Sequence, residues 1–539
     1  MTDVRASLEE YRDVREGLER AVLPLATSVD GRRFSFQTSL HELELEAGGY
    51  VTLDGEGSPR LGQVLSLELR TETATGPGLP EVRMRAGHGE GVVLDGDGRP
   101  FHDALMRRAD PNAVGEWLDR IEPERASLDV GELSLVPGVP VRLDAGGFGR
   151  HTFLCGQSGS GKTYSLGVLL ERILMETSLR VVVLDPNSDY VRLGEPRDDA
   201  DPSVLERFAP VAGSVAVRSG TNGADSIRVR FRELSPAHQA ALLRLDPLAD
   251  REEYAQLTAL VEDQSIGSVA DLERAQAHAL RLRARNLGVE SWGIWPGREG
   301  ESLVAELEDP GGPRCLVVDL GSLGTREEQA ITAGVVLERL WRRRAAREPI
   351  AIVIDEAHNV CPAEPGDPIT ALATEDAIRI AGEGRKFGLY LIVVTQRPQK
   401  VHENVLSQCD NLILMRMNST ADLAHVGRVF SFVPPGLLDR ATTFRQGEAL
   451  VAGKIASHPA LIRFGARLSP EGGADVAGWA SRRARQWRAL GRARMRPHHP
   501  DWVMQRVVPR RIVSGADSRL MEVCGWKPTR TSWARSTSW

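Results

Sequence analysis

The chain has 539 residues, enough for about three domains, and its 41% apolar and 26% charged residues are ordinary for a folded globular protein. A formal net charge of −7 excludes a polycation that coats nucleic acid along its whole length, while a local basic stripe stays compatible with a DNA channel. No run of about 18 apolar residues occurs, which argues against a membrane span, and the charges from Asp3 and Glu9 onward argue against a secretory leader.

Residues 1–21 read as a short polar helix. From 22 to 143 short alternating runs such as Phe34-Ser-Phe36, Tyr50-Val-Thr-Leu53, Val64-Leu-Ser-Leu67 and Gly91-Val-Val-Leu94 are separated by Gly, Asp and Pro clusters. That pattern predicts a small antiparallel β domain or barrel. Residues 144–465 have the texture of an α/β domain. Apolar runs at 151–155, 180–184, 315–319, 350–354, 389–394 and 411–415 alternate with helical segments, as in parallel strands buried on both faces. Between about 235 and 300 the pattern is helical only, and a helical insertion is expected there. After 466 strand character ends, and residues 481–511 carry ten Arg against the single acid Asp501. Cys155, Cys315, Cys361, Cys409 and Cys524 are widely spaced without a Cys-x-x-Cys pair, so free thiols in a reducing cytoplasm are expected.

Gly156-Gln157-Ser158-Gly159-Ser160-Gly161-Lys162-Thr163 fits Gly-x-x-x-x-Gly-Lys-Thr, follows an apolar run ending at Cys155, and opens a helical pattern through Leu166, Leu169, Leu170 and Ile173; these eight residues and the next, Tyr164, are the expected ATP contacts. Strand, loop and helix in that order are the context a phosphate loop needs. Glycines let the backbone N–H groups curl toward phosphate, and the helix N-terminus adds partial positive charge. Lys162 is expected to bridge the β- and γ-phosphates of ATP, and Thr163 to ligate Mg²⁺.

Ile350-Ala-Ile-Val-Ile-Asp355-Glu356 carries a second strand to its C-terminal edge, where ligands bind in open α/β sheets. Asp355 is expected to hold the Mg²⁺ shell and Glu356 to polarise the attacking water. Asp185 and Asp319 also close strands; each is open to a role at the Mg²⁺ hydration shell or as a turn residue. Gln396 closes the strand in Thr395-Gln396-Arg397-Pro398 and is a candidate γ-phosphate sensor. Arg385 and Lys386 lie on a helix-to-strand turn, and two readings stand open: a solvated charge pair, or an arginine finger for a neighbouring subunit's ATP.

The phosphate loop, Asp185-Pro-Asn-Ser-Asp-Tyr190, Val353-Ile-Asp-Glu-Ala-His358, Glu383-Gly-Arg-Lys-Phe-Gly388, Thr395-Gln-Arg-Pro398 and Leu406-Ser-Gln-Cys409 together resemble the HerA group of the HerA/FtsK superfamily. The resemblance implies an α/β, RecA-like P-loop ATPase core behind an N-terminal small β-barrel. It implies a homo-oligomeric ring, usually a hexamer, that hydrolyses ATP between subunits and moves double-stranded DNA through its centre. It further implies a partner nuclease, or in bacteria an NAD-hydrolysing effector of anti-phage defence, docked on the barrel. Among the matching positions, Arg385 is implied as the trans finger and Arg150 as a further nucleotide contact, and the segment after 466 as a brace on the neighbour. A ring that scaffolds and regulates an effector with little translocation is the competing reading. Residues 186–189 depart from the family's more usual His-Gly-Glu type sequence, which leaves Asp185 and Asp189 outside the carried-over set.

Overall fold

Six antiparallel strands, β1 (Leu25–Ser28), β2 (Arg33–Thr38), β3 (Tyr50–Asp54), β4 (Arg60–Gly76), β5 (Leu79–Asp95) and β6 (Phe101–Arg108), close into a barrel of order β1-β2-β5-β4-β3-β6. The computed structural model describes residues 2–473 apart from 41–43, 56, 77–78, 123–125, 198–201, 221, 264–265, 267, 274–276 and 296–301. Alternation along β2 turns Phe34 and Phe36 inward onto Val51, Leu53, Val64 and Met106. Those two rings lie against β5 because it has glycines opposite them. A Cβ on Gly91 would stand 2.1 Å from the Phe34 ring, and one on Gly89 2.4 Å from the Phe36 ring. The 17-residue strands β4 and β5 run well beyond their neighbours. Helix α1 (Thr2–Ala21) covers part of β5, with Tyr11 and Glu19 accepting the N–H groups of Arg83 and Arg85.

The barrel ends at Arg108 rather than at 143. Asp110 caps helix α2 (Pro111–Arg120), and the two strands that follow, β7 (Ser127–Leu133) and β8 (Pro140–Asp144), leave the barrel for the second sheet. Their alternating burial is indistinguishable in sequence from that of barrel strands. What decides their place is a partner over 300 residues away, since β7 pairs with the strand Ala460–Phe464.

That second sheet has eleven strands. Its parallel part is β9 (His151–Cys155), β10 (Arg180–Asp185), β11 (Val215–Ser219), β12 (Cys315–Asp319), β13 (Ile350–Ile354), β14 (Leu389–Thr395) and β15 (Cys409–Met415), in the order β11-β12-β10-β13-β14-β9-β15. Antiparallel β16 (Glu448–Gly453) and β17 (Ala460–Phe464) continue it to β7 and β8. Strands β9, β12 and β13 are buried at every residue, as their unbroken apolar runs predict. The arrangement is that of a RecA-like core, with the phosphate-loop strand β9 flanked by β14 and β15 and with β13 one strand further. Edge strand β11 was not legible as a strand. Its residues are only half-buried and Arg218 interrupts the apolar run. Between β11 and β12 the described residues form helices and loops without a strand, including Pro236–Leu242, Arg251–Glu262, His278–Asn286 and Leu303–Glu308, so the helical insertion is present.

Cys155, Cys315, Cys361 and Cys409 are free and buried; Cys524 and the Arg-rich stretch at 481–511 lie outside the described residues. No helix among the described residues is long and apolar enough to cross a membrane.

Candidate nucleotide site

Parallel register brings the C-terminal ends of five strands to one edge. Cys155 is level with Thr395 on β14 and Leu414 on β15, Ile354 with Val393, and Leu184 with Ile354. The residues that follow each strand therefore meet there: Gly156, Gln396, Arg416, Asp355 and, one position on from Leu184, Asp185.

Each glycine of the phosphate loop has a specific reason. Gly159 and Gly161 adopt φ of 73° and 93°, which favours glycine, and a Cβ on Gly156 would stand 2.7 Å from that of Met415. The loop leads into helix α3 (Lys162–Glu176), whose first N–H groups have no helical acceptor and face the loop. Ser158 and Gly159 are exposed at the tip. Gln157 is held from both ends: its N–H donates to the Arg416 carbonyl at 2.9 Å, and its side-chain oxygen accepts the Asn418 N–H at 3.1 Å.

Lys162 is only 5% exposed and reaches across to β13, its Nζ 3.0 Å from Asp355 Oδ1 and 2.9 Å from Glu356 Oε1. Burial pushes the ammonium pKa down, but the two carboxylates more than offset it, so Lys162 stays charged. Glu356 sits at a φ of 42°, a left-handed conformation that costs a non-glycine residue on the order of 1 kcal/mol or more. That turn aims its carboxylate at three partners: Lys162, His358 Nδ1 at 3.3 Å, and the Gln396 amide, which donates to Oε1 at 2.7 Å. Burial raises the Glu356 pKa, yet the His358 hydrogen bond and Lys162 outweigh it and hold it at about 2. The carboxylate is ionised at neutral pH. His358 also bonds Thr395 Oγ1 at 3.1 Å, fixing it between β13 and β14.

Asp355 is fully buried. Its Oδ1 takes Lys162 and the Glu356 N–H, while Oδ2 has no hydrogen-bond partner among the described residues. Carboxylate oxygens of Asp355, Asp185 and Asp189 all lie within 4.8 Å of one another. Asp185 accepts the N–H groups of Asn187, Asp189 and Tyr190, which folds the segment after β10 back over the site. Burial pushes the Asp185 carboxyl up to about 7 and also raises Asp189 and Asp355. Thr163 Oγ1 donates to Asp189 Oδ2 at 3.3 Å. Asp319 instead accepts from the hydroxyls of Ser188 and Ser219, anchoring the turn.

The remaining expected residues sit elsewhere. Arg385 and Arg150 both donate to Asp410 Oδ2, each at 3.1 Å, at the opposite edge of the sheet. Five-residue β9 separates Arg150 from Gly156, roughly 20 Å at about 3.3 Å per residue. Neither guanidinium meets its own chain's phosphate loop. Tyr164 turns its hydroxyl to the Arg467 N–H, which donates to it at 2.8 Å. Three residues at the site had no assigned role in sequence: Asp189, His358 and Arg416. Position alone signals them, since each lies within four residues of the C-terminal end of a strand bordering the site.

The family model "Helicase HerA, central domain" matches residues 128–271. The DNA double-strand break repair helicase HerA of Pyrococcus furiosus is 26% identical over 392 residues, covering 62% of this chain and 69% of its own length. The protein of the same name from Saccharolobus solfataricus is 24% identical over 392 residues, covering 68% and 73%. Among solved structures, VirB4 of Thermoanaerobacter pseudethanolicus aligns with a TM-score of 0.45 at 18% identity, over 64% of this chain and 98% of its own.

Proposed function

We propose that this chain, a HerA-like ATPase, is one subunit of a hexameric ring that hydrolyses ATP between neighbours and couples it to movement of double-stranded DNA. The observation that carries this reading is the division of its polar and charged groups between two edges of one sheet. Lys162, Asp355, Glu356 and Gln396 gather at one edge, and Arg150 and Arg385 at the other, on a shared half-exposed Asp410. Hydrolysis redistributes negative charge over the phosphoryl oxygens, and a positioned arginine there is worth about 10³–10⁵ in rate. In a ring, the Arg385 edge of one copy can supply that charge to the phosphate loop of the next. The relatives' names, repair helicases acting on DNA double-strand breaks, support duplex DNA as the track.

Mg²⁺ fits the residues present. Asp355 Oδ2 is buried without a partner, and Asp185, Asp189 and Thr163 add only oxygen donors, the set a hard divalent cation takes. The ion would neutralise phosphate charge. The protein's own part is to hold the Asp355 and Thr163 oxygens in place and to keep Glu356 ionised. Asp189→Asn is expected to raise the Mg²⁺ concentration needed for half-maximal turnover about tenfold, read from a titration at saturating ATP. An unchanged requirement removes Asp189 from the cation site.

The barrel is the proposed docking surface for a partner nuclease or an NAD-hydrolysing effector, and its long β4–β5 hairpin adds to the surface on offer. Buried free thiols suit a reducing cytoplasm. Mixing subunits tests the composite site. Arg385→Ala and Lys162→Ala proteins are each expected to be inactive, whereas their mixture regains turnover at interfaces that pair an intact Lys162 with an intact Arg385. If Arg385→Ala alone turns over ATP normally, the finger assignment fails.

A further inference from the structure

The residues so far given a role at the site serve the phosphate end, and the nucleoside has no assigned contact. Sheet order fixes where it must lie. Asp355 and Glu356 come from β13 and Gln396 from β14, both on one side of β9, so the γ-phosphate faces that side. The nucleoside therefore leaves toward β15 and β16.

Two side chains stand there. Arg416 follows β15, and its Nη2 donates to the Gly159 carbonyl at 3.0 Å. Its Nε is shut from solvent with no hydrogen-bond partner among the described residues, although the side chain as a whole is half-exposed. Gln446 leads into β16; its Cγ stands 3.3 Å from where a Cβ on Gly161 would be, and it is exposed. The next residue, Gly447, donates its N–H to the Ser160 carbonyl at 2.9 Å, which fixes this lead-in against the loop. The two left-handed glycines of the phosphate loop are thus flanked by Arg416 and Gln446, on the side away from the catalytic carboxylates.

We propose that Arg416 and Gln446 form the nucleoside half of the site, an inference that rests on the ATP reading above. The Arg416 guanidinium, pinned along one edge by Gly159, offers a planar cationic face on which a purine can stack. Gln446 supplies a neutral donor and acceptor beside the ribose and base. A lysine at 416 would keep the charge and lose the plane, so Arg416→Lys separates stacking from simple attraction to phosphate.

Calorimetric titration of the full chain with ATP, ADP and inorganic tripolyphosphate, at one fixed Mg²⁺ concentration, tests this. Wild type should bind all three, and Lys162→Ala should lose all three. If wild type binds neither ATP nor tripolyphosphate, it is the ATP reading that fails. With that control met, Arg416→Ala and Arg416→Lys are each expected to weaken ATP and ADP by about tenfold and to leave tripolyphosphate unchanged. Parallel loss of tripolyphosphate would make Arg416 a phosphate contact or a brace of the loop, and unchanged nucleotide binding would remove it from the site; either overturns the proposal for Arg416. Gln446→Ala alters an exposed side chain, so its folding is not at issue. A few-fold loss of ATP and ADP without loss of tripolyphosphate supports its half, and no loss overturns it.

Discussion

Glu356→Gln is expected to lower ATP turnover by about 10²–10⁴-fold while leaving ATP binding intact or tighter. Glutamine has the same shape, so the left-handed turn at 356 and the packing beside Gln396 can persist. What is lost is a carboxylate that is ionised at neutral pH and can accept a hydrogen bond from the O–H of a water. Binding should not suffer, because Glu356 is one of the two groups that hold the Lys162 ammonium. Removing its charge frees Lys162 for phosphate. Equilibrium binding of a fluorescent ATP analogue beside steady-state phosphate release checks both halves. Persistent turnover would take the catalytic role away from Glu356.

The second large effect is on folding. Glu171 on α3 and Arg467 in the segment after β17 are both fully buried, with Arg467 Nε 3.9 Å from Glu171 Oε1. Glu171 accepts the N–H groups of Leu468 and Ser469 and the Ser469 hydroxyl, and Arg467 lies over the Tyr190 ring. Glu171→Ala would leave the guanidinium, whose two terminal nitrogens have no hydrogen-bond partner among the described residues, with only the exposed Glu471 at 4.0 Å as a carboxylate among the described residues. Removing the buried partner of a buried charge costs about 3–5 kcal/mol, read as a fall in the urea midpoint. Replacing both members with apolar residues of similar volume, Glu171→Leu with Arg467→Met, should recover only the part due to the unpaired charge, because the N–H groups of Leu468 and Ser469 still lose their acceptor. The same segment reaches the cation site: Gly472 donates to the Asp189 carbonyl at 3.0 Å, and a Cβ there would stand 1.9 Å from the Ser188 carbonyl oxygen. Loosening it should therefore raise the Mg²⁺ concentration needed for turnover as well as lower stability. A midpoint close to wild type for Glu171→Ala would mean that the pair does not hold this segment in place.

Local signals and distant ones divide what could be read beforehand. The runs at 151–155, 315–319 and 350–354 coincide with β9, β12 and β13 because a parallel strand buried on both faces has a pattern of its own. The phosphate loop and Asp355-Glu356 were legible for the same reason, as fixed residues at the end of such strands. The fate of 127–144 was not, because β7 and β8 alternate like barrel strands and only their pairing with β17 assigns them. Asp189 was left out because Pro-Asn-Ser-Asp at 186–189 departs from the His-Gly-Glu type sequence more usual in the family it resembles. Only the hydrogen bonds folding it back onto Asp185 put its carboxylate beside Asp355. Arg416 carries no motif, and its contact with Gly159 spans more than 250 residues.

The claim that this ATPase is a motor on duplex DNA is tested most directly by its turnover with and without double-stranded DNA at low salt. Stimulation by duplex that fades as salt rises is the predicted result. Turnover indifferent to duplex DNA at every salt concentration would contradict it, and would leave a ring whose output is the assembly and control of its partner.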